Sequence, residues 1–170
     1  VNTEGKVRWQ NQLTPLNLPF FSTCDSIFLN YFWDRLDPEL GGKIVDELRP
    51  KRKRNEVYFG LDVWGRGQYG GGGFESWRAL DCVTGASRSY PPLPEEEQST
   101  RLYPFNLSVA LFAPAWTVES SNLNHTLSDR AGYERWWADE QYLWTGGLET
   151  PNVVSERKRM EKERKERRGV

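Results

Sequence analysis

Three short apolar segments, separated by stretches of helical periodicity, constrain this chain most. Residues 26–31 (SIFLNY), 57–63 (VYFGLDV) and 108–113 (SVALFA) are β-branched or aromatic and almost continuously apolar, which suits strands covered on both faces. Between the first two, Leu40, Ile44, Val45 and Leu48 recur at helical spacing. Between the second and third, residues 75–87 offer a shorter helix with Trp77, Leu80 and Val83. Strand, helix, strand, helix, strand implies an α/β fold with parallel pairing and right-handed crossovers.

The rest of the chain sorts by composition. Residues 86–104 hold four prolines and three consecutive glutamates, which sustain neither a helix nor a central strand, so a surface insertion is expected. Residues 129–144 read as an aromatic amphipathic helix. Residues 156–168 carry eight Lys/Arg against four Glu, a local charge of +4, so the net charge of -1 leaves -5 for the remainder. With Glu161 and Lys165, and Glu163 and Arg167, at i,i+4 and almost no apolar face, residues 151–170 are expected to form a charged helical or disordered tail. Residues 1–150 are read as one domain.

Two cysteines, Cys24 and Cys82, and one histidine, His125, argue against a disulfide scaffold or a Cys/His metal centre. No metal or cofactor is expected, His125 reads as a loop residue, and the cysteine usage fits a reducing, cytoplasmic compartment. No run of 18 apolar residues is present, so no membrane partner is expected. The sequons at Asn106 and Asn124 read as accidental in such a chain. The missing initial Met hints at a fragment.

The glycine run after the second strand spells G-x-G-x-x-G at Gly65, Gly67 and Gly70. A dinucleotide fingerprint needs its third glycine to open a helix and an acidic residue about 20 positions on, at the end of a second strand. Gly70–Gly73 would instead unfold a helix start, so a loop at a strand's carboxyl end is expected, carrying Asp62, Trp64 and Arg66. The other strands end alike, the first in Asn30, Tyr31, Phe32 and Trp33, the third in Pro114, Ala115, Trp116 and Glu119. Near the amino end stand Trp9, Gln10 and Asn11. Parallel sheets place ligand sites at the carboxyl ends of strands, so aromatics, amides and carboxylates would meet at one edge. Aromatic faces stack on pyranose rings while Asn, Gln, Asp and Arg bind hydroxyls, so a sugar is the natural guest. The plainer alternative, that these aromatics fill a core, stays open for each of the 8 Trp.

Four ordered blocks carry a more specific likeness: GKVRWQNQL, DSIFLNYFW, VYFGLDVWGRG followed by glycines and Phe, and SVALFAPAWTVE. In these the chain resembles the cytosolic endo-β-N-acetylglucosaminidases of glycoside hydrolase family 85, over residues 4 to 138 apart from the insertion. The resemblance implies a (β/α)8 TIM barrel of which these would be the last three strands. It also implies cleavage between the two core GlcNAc residues of N-glycans, with retention through the substrate's own 2-acetamido group. Trp9, Asn30, Phe32 and Trp33 match positions bordering the glycan, and Asp62, Arg66, Trp116 and Glu119 match recurring positions. The family's catalytic Asn-x-Glu pair, with Asn orienting the acetamido group and Glu serving as acid and base, would lie upstream; it is expected to be absent here, leaving no catalytic residue and no turnover by this chain alone. A barrel typically needs about 250 residues and eight strands, so a truncated product, or a missing amino-terminal half supplied as a partner, is expected.

The expected partner is an N-glycan or free oligosaccharide. One alternative is a non-catalytic remnant that holds sugar on Trp9, Trp33 and Trp116. Another is nucleic-acid binding through Lys51–Arg54 (KRKR) and the basic tail, which the interleaved glutamates oppose by repelling phosphates.

Overall fold

The computed structural model describes residues 3–8, 10–85, 105–120 and 127–147. The expected insertion at 86–104 and the tail at 151–170 lie outside the described residues. Three strands, β1 (Ile27–Leu29), β2 (Val57–Asp62) and β3 (Ser108–Phe112), form one parallel sheet in the order β1-β2-β3. The register sets Phe28 beside Tyr58 and Tyr58 beside Ser108, Leu29 beside Phe59 and Phe59 beside Val109, and Asp62 beside Phe112. All three strands therefore run out at one edge, in chain order.

Five helices accompany the sheet among the described residues: α1 (Leu18–Thr23), α2 (Asp37–Glu47), α3 (Ser76–Thr84), α4 (Trp116–Glu119) and α5 (Arg130–Thr145). In α2, Pro38 stands in the first turn with Asp37 and Glu39, where a missing N–H costs nothing and negative charge suits the helix dipole. The helix stops at an extended Leu48, just ahead of Arg49, whose place before Pro50 disfavours helical backbone. Helix α3 ends on Gly85 at φ 72°, whose N–H bonds the Asp81 carbonyl at 2.9 Å, a left-handed cap. Strand β1 is shorter than its apolar run because the N–H of Asn30 turns to the Gln10 carbonyl at 2.7 Å instead of to β2.

One face of the sheet is closed along β1 and β2, whereas Leu111 of β3, in register with Leu61, stays 45% exposed. Leu29, Val57, Phe59 and Leu61 are buried with Val45 of α2, Ala79 and Val83 of α3, and Phe105 and Leu107 leading into β3. A Cβ on Gly41 would stand 3.4 Å from the Phe59 ring, so α2 lies close on that strand. Leu40, despite its helical spacing, faces outward.

The opposite face differs from expectation. Phe28, Tyr58 and Phe112 are half exposed there, because the helices that join the strands leave that side uncovered. Tyr31 folds back across it, 5.8 Å from Phe28 and 6.0 Å from Phe112. It lies over Gly60, where a Cβ would come within 2.8 Å of the ring. Among the described residues no further strand pairs with the outer edges of β1 or β3.

The KRKR run is half spent on the fold. Arg52 donates to the carbonyls of Phe21, Cys24 and Asp25 at 2.9, 2.8 and 2.7 Å, pairs with Glu56 at 2.6 Å, and stands 4.3 Å over the Phe21 ring. Arg54 binds the carboxylate of Asp46 and donates to the Phe105 carbonyl at 3.3 Å. Lys51 and Lys53 remain exposed.

Trp33 is a core residue. It is 3% exposed, its Nε1 donates to the Gly60 carbonyl at 2.8 Å, and its ring meets Phe59 and Tyr69 at 5.6 and 5.5 Å. A Trp33→Phe chain is expected to lose about 2 kcal/mol of stability or more, since packing goes and a buried carbonyl loses its partner. Urea unfolding followed by circular dichroism measures it; an unchanged midpoint contradicts the core placement.

Candidate functional site

The carboxyl edge is organised by Asp62, the last residue of the central strand. Its side chain is buried, and its Oδ1 accepts the N–H of Trp64 at 3.1 Å while Oδ2 accepts Arg66 Nε at 2.7 Å. The backbone N–H of Asp62 donates to Oε1 of the buried Gln68. A carboxylate two residues before an N–H it accepts makes a local turn without help from the sheet. Arg66 is thereby fixed at one nitrogen, while its side chain stays 65% exposed and sits 5.3 Å over the Phe112 ring. Asp62 also holds the Arg66 guanidinium above its already high pKa through that hydrogen bond, so Arg66 stays charged.

The glycine run closes on itself. A Cβ on Gly65 would fall 1.9 Å from the Gly71 carbonyl oxygen, and one on Gly72 only 2.4 Å from the Gly65 Cα. Both have positive φ, so only glycine lets the two limbs touch. The result returns the N–H of Gly73 to the Val63 carbonyl at 2.6 Å and delivers Phe74 and then α3. This is self-packing rather than an open ring of amides, and the helix starts at Ser76, not at the third glycine.

Aromatic side chains line the same edge. Phe32 is exposed and rests on Gly67, where a Cβ would be 3.2 Å from its ring. Trp116 opens α4 just beyond β3; its ring meets Phe74 edge-on at 5.4 Å and Trp64 edge-on at 6.5 Å, with planes 83° apart in the second pair. Trp64 is nearly half exposed and Trp116 is partly buried against the core, so the two indoles form a corner open at Trp64.

Phe32, Asp62, Arg66 and Trp116 are thus linked along one edge through Gly67, Phe112 and Trp64. Asn30 ends β1 but is buried. Glu119 is exposed at the end of α4. Trp9 lies outside the described residues, and Trp33 points into the core instead of offering a face. Gln68 and Phe112 are not singled out in the sequence, whereas Trp64 is, in the loop with Asp62 and Arg66. Phe112 takes its place from its pairing register with Asp62, which no linear pattern fixes.

The expected absence of an Asn-x-Glu triplet is corrected by the sequence itself, for Asn2-Thr3-Glu4 has that spacing. Asn2 lies outside the described residues. Glu4 stands in an exposed turn ahead of the first strand, 3.6 Å from Lys6.

The family model for glycosyl hydrolase family 85 matches residues 1–169. The chain belongs to this family. It is 34% identical over 146 residues to cytosolic endo-beta-N-acetylglucosaminidase 2 of Arabidopsis thaliana, covering 85% of this chain and 17% of that protein. It is 31% identical over 146 residues to the cytosolic endo-beta-N-acetylglucosaminidase of Homo sapiens, with 85% and 16% covered. The Danio rerio protein of that name is 32% identical over 156 residues, with 89% and 18% covered. The chain therefore spans less than a fifth of the length of these curated relatives. No solved structure matches. No helix among the described residues is long and apolar enough to cross a membrane.

Asp62 and Arg66 contribute differently although they are paired. Asp62→Ala leaves the part-buried N–H of Trp64 without its acceptor and should cost about 1–3 kcal/mol, whereas Arg66→Ala removes an exposed partner and should cost under about 1 kcal/mol. Urea midpoints of the two variants check this; equal losses would contradict the buried anchor.

Proposed function

We propose that this chain supplies the sugar-binding edge of an endo-β-N-acetylglucosaminidase that cleaves the GlcNAc-GlcNAc bond of the N-glycan core. The observation that carries the reading is the convergence of Phe32, the Trp64–Trp116 corner and the Asp62–Arg66 pair at the carboxyl ends of three parallel strands. Indole and phenyl faces take the C–H faces of pyranose rings. The free nitrogens of Arg66 donate to hydroxyls, and Asp62 neutralises the guanidinium, so the pair suits uncharged sugar better than an anion. The relatives' names support the substrate class and a cytoplasmic place for the chain. Trp9, Asn30 and Glu119 complete the proposed set by their match to the family blocks.

The fold reading follows from the same sheet. Strands adjacent in sequence and in space, all parallel, with helices on one face only, make a segment of a (β/α)8 barrel whose interior would cover Phe28, Tyr31, Tyr58 and Phe112. In that barrel the present strands would be the last three, with residues 1–150 in the barrel domain and 151–170 as its charged appendage.

Chemically, the edge binds but does not protonate. Glycosidic cleavage needs an acid at the scissile oxygen even when the substrate's acetamido group is the nucleophile. Asp62 is engaged by Arg66 and Trp64 and is not that acid, and the resemblance puts the family's Asn-x-Glu acid upstream of these strands. General acid catalysis contributes roughly 10²–10⁴-fold, and its lack leaves a binder. The basic run offers little to a phosphate backbone, because Arg52 and Arg54 are committed within the fold.

The purified chain is expected to release no glycan from a high-mannose glycopeptide, read by mass spectrometry. Release abolished by Glu4→Gln would overturn the inactive reading and make Asn2-Thr3-Glu4 the catalytic pair. In chitobiose titrations followed by tryptophan fluorescence, Trp116→Ala should weaken binding by about tenfold, the loss of one stacking contact worth on the order of 1.4 kcal/mol. No response from the unmodified chain would remove the sugar-binding edge.

A further inference from the structure

We propose that Glu140, on the far helix α5, is a positioning residue for Trp116. It acts through Thr117, by a clasp of one carboxylate, one hydroxyl and two indoles. The proposal rests on the sugar-binding reading of the edge and adds to it a residue outside the edge.

The segment that presents Trp116 has little to hold it by itself. Helix α4 is four residues long, a length at which a helix is unstable without tertiary support. It follows Ala113 at φ 57°, and its internal bonds are the N–H groups of Val118 and Glu119 to the Ala115 carbonyl and of Ser120 to the Trp116 carbonyl. Exposed Val118 and Glu119 on this turn contribute no buried anchor.

What holds it comes from α5. Thr117 is 1% exposed, and its Oγ1 accepts Trp136 Nε1 at 3.0 Å while donating to Glu140 Oε2. The other oxygen, Oε1, accepts Trp144 Nε1 at 2.7 Å. Trp136, Glu140 and Trp144 lie four residues apart on one helix face, so a single stripe of α5 supplies every partner of the Thr117 hydroxyl. Both carboxylate oxygens are engaged, and charge-assisted bonds of this kind are the strong ones. A second tie runs in parallel: Phe74 packs between Trp116 at 5.4 Å and Tyr142 of α5 at 5.7 Å. The indole of Trp116 is therefore set by α5 from both its backbone side and its ring side. Removing the Thr117–Glu140 bond would free the turn while leaving the sheet intact.

Glutamine keeps part of the clasp: its oxygen accepts from Trp144 and its amide nitrogen donates to Thr117 Oγ1, but the charge is gone and the Thr117 hydroxyl proton loses its acceptor; alanine keeps neither bond. The test is Glu140→Ala against Glu140→Gln in the full chain, with amide hydrogen exchange and chitobiose affinity as readouts. In Glu140→Ala, amides of 117–120 should exchange at least about tenfold faster while those of β2 keep their rate, the mark of local rather than global opening. Chitobiose affinity should fall about fivefold or more in Glu140→Ala and by less in Glu140→Gln, which loses the charge but keeps one bond to each partner. Thr117→Val, nearly isosteric, should reproduce the alanine result. Equal acceleration in β2, or unchanged exchange at 117–120, overturns the clasp. Local acceleration without loss of affinity in a chain that binds chitobiose overturns the positioning role. If the unmodified chain binds no chitobiose, the sugar reading falls, and unaltered indole Nε1–H resonances of Trp136 and Trp144 in Glu140→Ala would remove the clasp as well.

Discussion

Pairing of β2 on both sides is the constraint on which the rest depends. It is the only described strand with two neighbours, and its parallel register fixes where β1 and β3 must end. Because side chains alternate along a strand, the register also decides which residues meet the helices and which meet the open face. Val57, Phe59 and Leu61 go to the core, whereas Tyr58, Gly60 and Asp62 go to the other side. Asp62 closes that second series at the edge; one more backbone bond to β3 follows, Val63 N–H to the Phe112 carbonyl at 3.1 Å, and the buried carboxylate then begins the loop. A shift of one residue would exchange the two series and put Asp62 among Val45 and Val83.

The uncovered face is a consequence of the same arrangement. A parallel strand is ordinarily buried on both sides, and the sequence carries the residues for that: Phe28, Tyr58 and Phe112 are as apolar as the core series. Tyr31 lies over Gly60 and bridges Phe28 and Phe112, covering part of the patch from within. The remainder has the composition of an interior without a cover among the described residues. This is the physical support for the proposed barrel. It is independent of the family match, which rests on sequence alone.

Much of this was legible in the sequence, and the failures share a cause. The three strands, their parallel sense and the gathering of Phe32, Asp62, Arg66 and Trp116 followed from apolar runs and spacing. The glycines were read correctly as a loop, although their reason, two limbs in contact at Gly65 and Gly72, is tertiary. Trp33 failed because adjacency to Phe32 says nothing about direction: past the end of β1 the chain bends, and one ring goes out over Gly67 while the other goes in to the Gly60 carbonyl. Leu40 shares the helical spacing yet faces outward, and it is Gly41 that brings α2 close to the Phe59 ring. The KRKR run looked like a surface charge patch, yet Arg52 and Arg54 turn inward to backbone carbonyls and to the Glu56 and Asp46 carboxylates, partners that no linear pattern announces.

Aromatic content by itself therefore does not define a binding edge; what separates a platform from a core ring is whether its flat surface stays open, for Trp77 is buried with no partner among the described residues at its indole nitrogen. Trp33 spends its Nε1–H on a strand carbonyl, and Trp136 and Trp144 spend theirs on Thr117 and Glu140, so all three indoles are tethered by their polar ends. Trp64 and Trp116 are held instead by ring edges and by their backbones, through Asp62 and through the turn at Thr117. A ring held in this way keeps an indole N–H and a flat surface for a ligand without paying conformational entropy on binding. Rigid presentation of that kind strengthens ground-state and transition-state binding alike, and uniform binding does not lower a barrier. An edge built this way needs a proton donor held opposite it before affinity for sugar becomes cleavage.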